Sequence, residues 1–145
     1  MIFLTTDRQV AYYHAPKCGS RTVLGYIALA DTPTLYETNP GYFKSRNDNV
    51  YRDLRNVAIK EGSHDFAPDA VPKSKSPYRI CIKRDPVERF LSGYRNRVLF
   101  HKDVKGTPGI SSFISNFKEY NQNPTLKRHF KPQVSFYGTD PSIFT

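Results

Sequence analysis

Tyr12-Tyr13-His14-Ala15-Pro16-Lys17-Cys18-Gly19-Ser20-Arg21-Thr22 joins two different hydrophobic periods. The apolar run from Val10 to Tyr13 predicts a strand. Beyond the glycine, Val23, Tyr26, Ile27 and Ala30 recur at helical spacing and predict a helix from about Ser20 to Ala30, with those four side chains inward. A strand, a tight glycine turn and a helix start gather backbone N–H groups and the positive end of a helix dipole at one point, which suits a phosphate or sulfate. Lys17 adds a mobile cation, Arg21 a planar fork, and Ser20 and Thr22 short hydroxyl donors. Two well-known anion loops are excluded by spacing. A Walker A loop has its lysine after the glycines, whereas Lys17 precedes Gly19, and the cysteine–five–arginine loop of tyrosine phosphatases needs arginine where Leu24 stands. Taken alone, the stretch also fits an ordinary strand–turn–helix connection with a few surface charges.

A second segment repeats the arrangement. Tyr78-Arg79-Ile80-Cys81-Ile82-Lys83 reads as a short strand, and Arg84-Asp85-Pro86-Val87-Glu88-Arg89-Phe90-Leu91-Ser92-Gly93-Tyr94 follows it. Asp85 suits an N-cap, Pro86 the first helical position and Glu88 the third, so a helix starts here. Val87, Phe90, Leu91, Tyr94 and Val98 then form one apolar face. Arg84 stands at the carboxyl end of its strand, where open α/β sheets bind ligands. Ser92 follows two helical turns after Asp85, within reach of the same anion.

Together, Pro-Lys-Cys-Gly-Ser-Arg-Thr and Arg-Asp-Pro-Val-Glu-Arg-Phe-Leu-Ser-Gly-Tyr resemble the two nucleotide-binding signatures of sulfotransferases that use 3′-phosphoadenosine 5′-phosphosulfate (PAPS). The sequence looks closest to the carbohydrate branch, which includes the Golgi heparan and chondroitin enzymes. The resemblance covers roughly the whole chain, although its motifs sit in two short windows. It implies that Lys17, Cys18, Gly19, Ser20, Arg21 and Thr22 form the 5′-phosphosulfate loop, with Lys17 neutralising the bridging oxygen as the sulfuryl group leaves. It implies that Arg84 and Ser92 hold the 3′-phosphate, PAP being the product. A catalytic base is also needed. His64, in Glu61-Gly62-Ser63-His64-Asp65-Phe66, resembles the family's Gly-His-x-x-Phe region with Ser63 interrupting the Gly-His step, and Glu61 is the reserve. His129-Phe130-Lys131-Pro132-Gln133 resembles a His-x-x-Pro-Gln element near the acceptor pocket, which would make His129 and Gln133 substrate-binding. Read from the residues alone, Lys127-Arg128-His129 followed by Lys131 is a basic loop.

Composition is consistent with anionic partners. Lys and Arg number 22 against 13 Asp and Glu, giving a net charge of +9. Such a balance attracts a phosphorylated nucleotide, an acidic glycan, nucleic acid or an anionic surface. The charges are spread along the chain, which argues against a disordered nucleic-acid arm. No His/Cys cluster has metal-ligand spacing, so no metal is expected, and two cysteines make no disulfide framework. Cys81 alternates with Ile80 and Ile82 and is expected to be a buried thiol. His14 reads as structural, and His101 closes the second helix. No signal peptide or membrane span is legible, although the Golgi relatives begin with an anchor, so a cytoplasmic protein or an excised domain is expected.

Residues 31–51 read as a long loop, Val57–Lys60 as a short buried strand, 67–77 as a surface connection, and Ile110–Tyr120 as a helix burying Phe113, Ile114 and Phe117. Strands alternating with helices predict one α/β domain over residues 1–145, three layers around a central parallel sheet, with a P-loop-like strand–loop–helix site. The chain stops at Ser142–Thr145, about where a further strand of the family would begin, so a compact enzyme, a shortened chain and a degenerate copy are all open readings. The expected function is transfer of a sulfuryl group from PAPS to a hydroxyl acceptor, by resemblance a carbohydrate, with another hydroxyl-bearing molecule, acidic ones included, left open. A small-molecule kinase, or a basic nucleic-acid-binding module without catalysis, are the alternatives.

Overall fold

In the computed structural model, residues 2–4, 9–31, 59–61 and 77–144 are described. Four strands, β1 (Ile2–Leu4), β2 (Val10–Tyr13), β3 (Ile59–Glu61) and β4 (Tyr78–Cys81), form one sheet in the order β3-β1-β2-β4. β1 is antiparallel to both β2 and β3, while β2 and β4 run parallel. The described sheet is therefore mixed, which corrects the expectation of a central parallel sheet. The physical reason is chain length. Only five residues separate Leu4 from Val10, too few for a parallel crossover, which needs a dozen or more. The long connection from β2 to β4 permits parallel pairing, with Tyr13 opposite Cys81.

Side chains alternate across this sheet as strand geometry requires. Phe3, Tyr12 and Ile80 face helix α1 (Ser20–Asp31), where they pack with Leu24, Ile27 and Val23. Ile2, Ala11, Tyr13 and Cys81 face the opposite way, against Ala15, Cys18, Tyr137, Phe136 and Phe144. The sheet is thus covered on one face by α1 and on the other by the C-terminal segment. Within α1 the buried stripe runs through Leu24 rather than Tyr26, which is 64% exposed and so departs from its predicted inward position.

Beyond β4 comes a helical lobe. Helix α2 (Pro86–Tyr94) begins as its sequence predicts, with the Asp85 carboxylate accepting from the Glu88 N–H and Pro86 in the first turn. It continues as a π-helical turn (Arg95–Phe100), in which the His101 N–H reaches back to the Asn96 carbonyl. Val98 is fully buried, whereas Val87, one of the residues expected inward, is 66% exposed. The expected helix over Ile110–Tyr120 is two short ones, α3 (Ile110–Ser115) and α4 (Phe117–Tyr120). They break at Asn116, whose φ of −106° leaves the helical range while its side-chain amide donates to the Ser112 carbonyl. Phe113 and Phe117, one helical turn apart, both turn inward, while Ile114, expected to do the same, is exposed.

The stretch read as a basic loop contains helix α5 (Pro124–Phe130), capped by Asn123, whose side chain accepts from the Thr125 and Leu126 N–H groups. Asn-Pro-Thr-Leu is an N-cap followed by proline at the first position, a start signal visible in the sequence. Helix α6 (Val134–Tyr137) and a 3₁₀ turn (Pro141–Ile143) complete the chain. Phe90, Phe113, Phe117, Phe130, Tyr94, Tyr120, Val98, Val104 and Leu126 make a separate core between these helices. No helix among the described residues is long and apolar enough to cross a membrane. The expected loop of 31–51 (beyond Asp31) and the connection of 67–77 (before Pro77) lie outside the described residues, as do the first two residues of the expected strand Val57–Lys60.

Candidate functional site

Parallel pairing of β2 and β4 points both strands the same way, so the turns after them leave the sheet at the same edge. Lys17 lies four residues past Tyr13 and Arg84 three residues past Cys81, the pair that closes the ladder. Neighbouring strands are about 4.8 Å apart. The two turns are therefore adjacent, and the Arg84 guanidinium crosses between them: its Nη1 donates to the Lys17 carbonyl at 3.0 Å. Its Nη2 stands 3.6 Å from the Glu88 carboxylate one helical turn on.

The first turn has the backbone of an anion cradle. Lys17 (φ 68°) and Gly19 (φ 70°) are both left-handed and flank Cys18, a conformation that turns successive N–H groups to one side. The Val23 N–H bonds the Gly19 carbonyl, so the amides of Ser20, Arg21 and Thr22 form the open N-terminal turn of α1. A side chain added at Gly19 would meet nothing within 4 Å, so the space before the loop is open. This backbone fits a phosphate or phosphosulfate, and the lysine that precedes it carries the matching charge.

Side chains in the loop divide by role. Cys18 is 1% exposed and belongs to the core, so any contact it makes to a ligand uses its backbone. The Ser20 hydroxyl donates to the Ala15 carbonyl at 3.3 Å, closing the turn on itself, while Thr22 is exposed. Only the backbone of Arg21 is described. Ser92 is half-buried on α2, two turns from its start. His64 lies outside the described residues, and Glu61 ends β3 with its side chain outside them.

Gln133 and His129 both reach this region. The Gln133 carboxamide bonds the backbone of Arg84 on both sides, accepting from its N–H at 3.0 Å and donating to its carbonyl at 2.7 Å. Its oxygen also accepts from the Cys18 thiol at 3.3 Å. His129 is tied in by Arg89, which the sequence reading did not single out. The Arg89 guanidinium is 6% exposed, donates from Nε to the Pro16 carbonyl at 2.9 Å and from Nη2 to the His129 carbonyl at 3.2 Å, and lies over the Phe136 ring. The one signal for it is position: it precedes the buried Gly93 by four residues, on the same helix face.

The His129 ring sits with Nδ1 2.8 Å from the Thr125 carbonyl, so Nδ1 carries the hydrogen and Nε2 the lone pair in the neutral form. Burial lowers its pKa, and Arg97, Lys17 and Arg128 lower it further, against the opposing hydrogen bond to Thr125. That Lys17 acts on the ring puts His129 in the electrostatic range of the first turn. Behind the loop, burial raises the Cys81 thiol, with Cys18 adding to the effect and Lys83 opposing it. Burial also pushes the Tyr137 phenol far up, with the neighbouring Cys18 and Cys81 adding to the effect, and its hydroxyl donates to the Ile82 carbonyl at 2.7 Å. His14 is buried, with edge contacts to Phe3 and Tyr12.

Neither curated proteins nor solved structures yield a match to this chain. A model of the sulfotransferase family, in contrast, matches residues 1–141, a span that takes in both turns and the Gln133 segment that joins them. On that match the chain belongs to the sulfotransferase family.

Proposed function

We propose that the protein transfers a sulfuryl group from PAPS to a hydroxyl, most simply that of a carbohydrate. The observation that carries this reading is the Arg84 Nη1 bond to the Lys17 carbonyl, because it makes one cleft edge of two turns suited to the two anionic ends of one nucleotide. Bound PAPS would supply the activated sulfuryl group. Lys17 then holds a positive charge where negative charge develops on the departing oxygen, and the open amides of Ser20, Arg21 and Thr22 orient the 5′-phosphosulfate. Arg84 and Ser92 select the 3′-phosphate. His64, with Glu61 in reserve, accepts the proton of the acceptor hydroxyl. His129, neutral and with its Nε2 lone pair available, accepts a hydrogen bond from the acceptor. The chain's net charge of +9 suits an acidic glycan.

A thermal-shift panel of PAP, ATP with Mg²⁺ and an oligonucleotide tests the reading. PAP at about a hundred times its Kd should raise Tm by roughly 5–10 °C, with no comparable rise from the others. Arg84→Ala should cost the PAP response more than the response to adenosine 5′-monophosphate (AMP), which lacks the 3′-phosphate. A shift with ATP and Mg²⁺ alone would make the protein a phosphate-transfer enzyme, and one with the oligonucleotide alone a nucleic-acid-binding module.

A further inference from the structure

The ladder between β2 and β4 ends at Tyr13 and Cys81. Past that point the backbone groups of Arg84 still need partners, because a half-buried amide or carbonyl left without one is costly. The Gln133 side chain supplies both, accepting from the Arg84 N–H and donating to the Arg84 carbonyl. It acts as one further rung of sheet, contributed by the residue that leads into α6. The same carboxamide oxygen takes the Cys18 thiol hydrogen, and so also holds the first turn. Cys18 is bonded to Lys17 along the chain, and the Lys17 carbonyl receives the Arg84 guanidinium. Lys17, Cys18, Gln133 and Arg84 thus close a ring in which the separation of the two turns is fixed twice.

We infer that Gln133 is a positioning residue of the donor site, setting the distance between the Lys17 turn and the Arg84 turn, and does not serve as a contact for the acceptor. This rests on the nucleotide reading given above, since a fixed separation matters only if one ligand spans both turns. It also assigns the segment after α5 to donor recognition. Three bonds use both acceptor sites of the carboxamide and one of its two N–H groups, and all three run to the two turns.

The test compares PAP with AMP by calorimetry on the wild type, Gln133→Ala and Gln133→Met. AMP engages the first turn alone, whereas PAP needs both in register. Gln133→Ala should weaken PAP about ten- to hundredfold, the scale of one to two lost hydrogen bonds, and AMP by much less. The preference for PAP over AMP therefore collapses. Gln133→Met keeps the length of the side chain and its lack of charge but makes none of the three bonds, so it should lose the preference as Gln133→Ala does. An unchanged PAP-to-AMP preference in Gln133→Ala overturns the inference, as does an equal loss for both ligands in both variants. Should Gln133→Ala not fold, Gln133→Met decides the matter: a reduced preference supports the assignment and a wild-type preference refutes it. A wild type that binds no PAP strikes the nucleotide reading itself, and the two failures are thereby told apart.

Discussion

Lys17 carries a long side chain on a left-handed backbone, with φ at 68°. For a residue with a Cβ this conformation costs about 1–2 kcal/mol, and it persists because Arg84 grips the carbonyl of Lys17 and Arg89 that of Pro16. Glycine pays no such penalty. Lys17→Gly is therefore expected to be more stable than Lys17→Ala by about 1 kcal/mol in denaturant melts, although both remove the cation. Equal stability of the two variants would show that the left-handed backbone stores no strain. At this scale charge and glycine placement in the sequence singled out Lys17, Gly19 and Arg84, which the structure brings to adjacent turns. The sequence hid Arg89 and the actual contacts of Gln133, because a side chain that bonds distant carbonyls leaves no periodic signal along its own chain.

Among the elements, α2 and α5 pack where Gly93 faces Phe130. A Cβ built on Gly93 would meet the Phe130 ring at 3.0 Å, and that ring is hemmed in by Phe90, Phe113 and Phe117 with centroids 5.1 to 5.5 Å away. Alanine gains up to about 1 kcal/mol of helix propensity over glycine, but overpacking costs about 1–3 kcal/mol. Gly93→Ala should therefore lower Tm, and a rise would mean that the aromatic cluster yields easily. Element starts were the most legible part of this chain. Asp85-Pro86 fixes the start of α2 through local hydrogen bonds that need no distant partner. Asn123-Pro124 carries the same signal for α5. The division of 110–120 at Asn116 was illegible, since Phe113 and Phe117 keep the spacing they would have on one face of an unbroken helix.

For the molecule as a whole, Arg89 is the link between layers. From α2 it reaches the β2–α1 turn at Pro16 and the end of α5 at His129, joining the sheet to the helical lobe. Arg89→Met keeps the apolar stem but leaves two carbonyls without their charged donor, and should cost about 2–4 kcal/mol in urea unfolding. Arg89→Lys, a point donor that lacks the fork, should restore only part of this. A loss below about 0.5 kcal/mol for Arg89→Met would mean that the lobe is held by its aromatic core alone. Local order determined a great deal in this protein: the apolar pattern set β2, α1 and α2, Gly19 set the first turn, and the Asp85 cap set the end of the second. What tertiary structure alone decided is that those turns meet. Strand direction and register depend on pairing between segments 68 residues apart, from Val10 to Tyr78, and nothing in either segment encodes its partner. Parallel pairing sends both turns to one edge of the sheet, and side chains from a third region, Gln133 above all, fix the distance between them.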